Sequence, residues 1–122
     1  MKTFRYSSAD LNQGMANLLI SLEHGVAADR VQVNPIEVGT PVVSYVTDTT
    51  RRGTHVIVGF ARGTTTEANP WGTEGLKTVY QVAWVAEAVR FIPEAVVPIV
   101  STTRANEEMA QALMVAALAP RY

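Results

Sequence analysis

The chain reads as an α+β protein: an antiparallel sheet, a meander of three or more strands, with an N-terminal and a C-terminal helix packed on one face. Three observations predict it. Apolar side chains recur at helical spacing near each end of the chain. Alternating, β-branched runs fill the middle, and turn residues fall between those runs. With 122 residues, 48% of them apolar, the chain is expected to form a single domain over residues 1–122. It is long enough to bury a core without metal or disulfide.

Residues 2–6 alternate, with Phe4 and Tyr6 on one side, as an edge strand does. Ser7 and Ser8 offer a helix N-cap and Asp10 an acid in the first turn. Leu11, Met15, Leu18, Leu19 and Leu22 then form one apolar stripe. His24 and Gly25 close that helix, glycine supplying the left-handed position. Residues 31–33 and 36–38 alternate in opposite phase with Pro35 at the change, which marks an edge strand or a bulge. Gly39-Thr40 reads as a two-residue hairpin turn with glycine first. Residues 41–48 return with Val42, Ser44 and Val46 on one face and Val43, Tyr45 and Thr47 on the other. A polar turn at 49–53 leads to a third strand at 54–62.

Beyond it, residues 63–75 read as a long loop rich in Gly and Thr. Residues 76–92 fit a helix or a strand, and their β-branched content favours the strand. Pro93 ends that element, and residues 95–100, broken by Pro98, read as an extended edge segment. Thr102 or Thr103 caps a last helix in which Met109, Ala112, Leu113, Ala116 and Ala117 line up as a stripe of small and flexible side chains. Such a stripe suits packing on the sheet or against a second copy.

Composition narrows the function classes. Only 17% of residues are charged, below the usual quarter or so, so apolar surface is left for a subunit interface and a homo-oligomer is expected. The net charge is −1 and no basic stripe appears, which argues against nucleic acid as partner. Cysteine is absent, removing thiolate chemistry and Cys-ligated metal. No apolar run reaches the roughly 20 residues of a membrane span, and no signal-peptide pattern is visible. A cytoplasmic protein without a membrane partner is the expectation.

The candidate site starts at the end of the third strand. Gly63, Thr64, Thr65 and Thr66 bring backbone amides and hydroxyls, Arg62 a fixed positive charge, and Trp71 a flat face. That chemistry suits phosphate or another oxyanion, although no Gly-Lys-Ser/Thr follows as a P-loop requires. Arg51 and Arg52 form a second candidate anion contact, and Arg90 and Arg104 could complete a site from a neighbouring subunit. The bland reading is a polar turn with Trp71 folded over the core. His24 and His55 share no metal-ligand spacing, so no metal or cofactor is implied. These features together lead to the expectation of a non-catalytic, homo-oligomeric binding protein for an anionic small molecule (a nucleotide among the options) or a protein surface, acting by sequestration or inhibition. A structural assembly subunit of the virion, shell or connector type is the alternative. A small enzyme using Glu87 with a histidine as an acid–base pair is the third.

Overall fold

The computed structural model describes residues 2–6, 11–29, 36–65, 78–85, 89–93 and 103–118. Eight elements follow in order: β1 (Lys2–Arg5), α1 (Leu11–His24), β2 (Val26–Asp29), β3 (Pro41–Asp48), β4 (Gly53–Thr65), β5 (Thr78–Trp84), β6 (Arg90–Pro93) and α2 (Thr103–Leu118). The strands form one sheet in the order β1-β3-β4-β5-β2, with β6 also paired to β4. All pairings are antiparallel except β1 with β3, which run parallel at the sheet's edge. The fold is α+β, as the sequence predicts.

The meander consists of β3, β4 and β5. Its first strand is not the one expected at residues 31–38. Residues 31–35 lie outside the described residues, and 36–40 form a turn in which the Thr40 amide donates to the Glu37 carbonyl. Val38 and Gly39 are its central residues. The left-handed position (φ 92°) falls at the second of them, so the turn sits one residue earlier than the glycine-first reading placed it.

β4 is the spine. β3 lies along one edge, while β5 and β6 share the other. Gly59 faces Trp84 and Val56 faces Arg90, so three steps along β4 correspond to six on the opposite side. Within the segment at 76–92, Thr78–Trp84 is strand and so are residues 90–92, Val85 and Val89 belong to neither strand nor helix, and none of the described residues is helical. Residues 95–100 lie outside the described residues.

The pleat explains the core. Val42, Ser44, Val46, His55, Ile57, Ala61, Tyr80, Val82 and Trp84 share one face by register. Leu18 of α1 packs there on Val46 and Ile57, supported by Leu11, Met15 and Leu22. Val43, Tyr45, Val56 and Val58 occupy the other face and receive Leu113 of α2, with Met114 and Ala117 beside it. The two helices thus cover opposite faces, not the single face expected. A sheet apolar on both sides needs two covers, and each helix buries one stripe. Both stripes also differ from expectation. Leu19 is 51% exposed, and α2 buries Leu113 while Ala112 faces solvent.

Candidate functional site

β4 decides where the candidate residues go. The strand does not end at Arg62: Gly63, Thr64 and Thr65 continue it, paired with Gln81, Tyr80 and Val79. The register slips between Ala61 and Gly63, which makes Arg62 the extra residue of a β-bulge. Gly63 takes the conformation that follows (φ 156°), one that side chains with a Cβ rarely adopt. The donors expected in an open loop are thus, up to residue 65, part of a sheet ladder. Arg62 itself is exposed. Thr66 and Trp71 lie outside the described residues, as does Glu87.

Arg51 and Arg52 sit at the far end of the same strand, in the turn joining β3 to β4. At the usual rise per residue, Arg62 is about 30 Å from the start of β4. One small ligand cannot touch both ends within one chain. Arg90 lies on β6 and donates to the carbonyl of Ala117 at 2.6 Å, a cation closing the last turn of α2. Arg104 lies in the first turn of α2, on the helix that carries Leu113.

The β3–β4 turn has the most structure around it. Asp48 ends β3, 2% exposed. One of its carboxylate oxygens accepts the Arg51 amide at 3.0 Å and the other accepts His55 Nε2 at 3.0 Å. Because a carboxylate only accepts, the ring must carry its proton on Nε2. These bonds hold the Asp48 carboxyl below its ordinary value of 3.8, the His55 bond contributing most and the Arg51 amide next, against burial that pushes the other way. Phe91 of β6 closes the cluster, its ring centroid 4.9 Å from that of His55. The Arg51 guanidinium lies over the same ring, 4.2 Å from its centroid. Gly53 makes room for this, since a Cβ there would run into the Phe91 ring and the Ile92 carbonyl. Arg52 is the non-glycine residue with positive φ among those described (51°). Among the described residues no carboxylate lies within ion-pair distance of the guanidinium groups of Arg51, Arg52 or Arg62, although the Arg51 charge is near enough to help lower the Asp48 carboxyl.

The sequence places both arginines on a polar turn but gives no link between His55 and Asp48. The missing signal was the hairpin register. With Asp48 opposite Gly53 and Val46 opposite His55, the acid and the imidazole become diagonal neighbours on one face. Elsewhere, Tyr80 is fully buried, and Trp84 packs on the α1 side with its indole N–H donating to the Ser21 carbonyl. An open groove of about 800 Å³ beside Trp84, lined by Leu22, Glu23, His24 and Val82 among others, includes none of the candidate anion contacts. No group of metal-ligating side chains occurs among the described residues, nor does a helix long and apolar enough to cross a membrane.

Comparisons with family models, with curated proteins and with solved structures find no match for this chain. What the fold defines is an α+β protein with a helix on each face of a largely antiparallel sheet.

Proposed function

We propose that this chain is a non-catalytic, homo-oligomeric binding protein that holds an anionic small molecule, a nucleotide or phosphorylated metabolite, at the β3–β4 turn. The observation that carries the reading is the setting of Arg51. Its backbone is tied to Asp48 and its guanidinium rests on Phe91 with no carboxylate at ion-pair distance among the described residues. A guanidinium already resting on an aromatic ring loses less freedom when it grips a planar or tetrahedral oxyanion. Arg52 stands beside it in a left-handed conformation that glycine would adopt more cheaply, a local cost of the kind found at working sites. Arg62, at the bulge, would meet such a ligand only from a second subunit.

Thermal-shift measurements against nucleotides, pyrophosphate and phosphorylated metabolites test this. At least one polyanion should stabilise the protein, and Arg51→Ala should weaken its binding about tenfold or more, the loss expected for a charge-assisted hydrogen bond. No stabilisation by any of them, or an effect that survives Arg51→Ala and Arg52→Ala together, would count against the reading.

The second reading, a structural assembly subunit, draws on apolar side chains left in solvent. Phe60 and Val85 are 42% and 53% exposed beside the α2-covered part of the sheet, and Val115 is 65% exposed on α2 itself. Light scattering separates the two: large rings or tubes favour assembly, whereas a small oligomer that responds to ligand favours binding.

A further inference from the structure

We propose that anion binding at the β3–β4 turn is coupled to protonation of His55, with Asp48 as the charge that His55 switches, so that the turn grips its guest more tightly at lower pH. This rests on the anion-binding reading above and names its regulation. Among the described residues, two groups meet the imidazole, Asp48 from β3 at 3.0 Å and the Phe91 ring from β6, and Arg51 from the turn lies over that same ring. Helix α1 packs on the same face of the sheet, but its titratable residues, Glu23 and His24, stand in its last two turns beside Trp84, away from this hairpin. Arg90 is turned to the Ala117 carbonyl.

The Arg51 guanidinium lies 4.2 Å from the Phe91 centroid and the His55 ring 4.9 Å from it, so guanidinium and imidazole are at most about 9 Å apart. Asp48 touches both the Arg51 amide and His55. While the imidazole is neutral, the Asp48 charge is offset only by the nearby Arg51 guanidinium, and so it weakens the pull of that cation on an arriving anion. Protonated, His55 cancels that charge. Histidine changes charge between pH 5 and 8, inside the range where the carboxylate stays ionised. A doubly charged anion seated a few ångström beyond the guanidinium, about 12 Å from the ring, shifts the imidazole titration by about half a pH unit at near-bulk-water screening. By linkage, affinity then changes by about threefold, and binding takes up part of a proton.

Sulfate is the probe, because its charge is constant across this range, unlike that of phosphate. Amide shifts of Arg51 and Arg52 titrated with sulfate at pH 6 and pH 8 give the two dissociation constants directly. The expected result is binding about threefold tighter at pH 6 in the wild type and in His24→Gln, with the difference lost in His55→Gln. Should His55→Gln fail to fold, calorimetry of the wild type in two buffers of different ionisation enthalpy reads the proton uptake instead. Equal affinities at both pH values, an unchanged ratio in folded His55→Gln, or zero proton uptake overturns the coupling and leaves the anion site standing. Sulfate that moves neither amide at either pH, together with a polyanion screen that gives no stabilisation, overturns both.

Discussion

One carboxylate, that of Asp48, holds the Arg51 amide with one oxygen and His55 Nε2 with the other, each at 3.0 Å. The β3–β4 hairpin is thus closed by a charge, and its stability should follow that charge. Because the folded-state value of Asp48 is depressed below 3.8, its contribution is complete above that ordinary value and lost as pH falls through the depressed one. Urea midpoints measured from pH 6 down to pH 2 should therefore fall in the wild type below about pH 4. An Asp48→Asn variant should start lower and lack that component of the fall.

Gly53 and Phe91 form the second test. Replacing glycine in a strand by alanine ordinarily helps by about 0.5–1 kcal/mol. Here the new methyl meets the Phe91 ring and a backbone carbonyl, so Gly53→Ala should destabilise by roughly 1–3 kcal/mol, the range for overpacking. Phe91→Ala alone also costs stability. Denaturation of the double variant should show a loss smaller than the sum of the two, because the ring that clashes is gone.

Arg52 gives a prediction with opposite signs. Arg52→Gly relieves a left-handed backbone (φ 51°) and should leave stability unchanged or raise it by up to about 1 kcal/mol. The same variant should bind polyanions more weakly. If both stability and binding fall, the residue is needed for the turn itself.

Adjacent leucines on α1 should part company. Leu18 is fully buried on Val46 and Ile57, so Leu18→Ala should cost about 2–5 kcal/mol. Leu19 is half exposed, and Leu19→Ala should change stability by no more than about 0.5 kcal/mol. Chemical denaturation of both variants checks this.

Ser44 carries a buried hydroxyl, 0% exposed, with no hydrogen-bond partner among the described residues. Removing an unsatisfied buried polar group relieves about 1–3 kcal/mol of desolvation, offset in part by the small cavity left behind. Ser44→Ala should be neutral to stabilising by about 1 kcal/mol, read from the urea midpoint.

Sequence by itself determined the kinds of element. The 3.6-residue spacing of Leu11, Met15, Leu18 and Leu22 produced α1, the alternation through residues 41–48 produced a strand with two distinct faces, and β-branched content produced strand at Thr78–Trp84. Periodicity is local, so it survives in one dimension. Tertiary structure decided what that local signal cannot encode. The choice of opposite faces for α1 and α2 depends on which side of β3 and β4 each stripe meets. The extension of β4 through Gly63, Thr64 and Thr65 depends on β5 arriving beside them, across a bulge that composition alone reads as a loop. The bond between Asp48 and His55 depends on hairpin register, where a slip of one residue would put the acid and the ring on opposite faces.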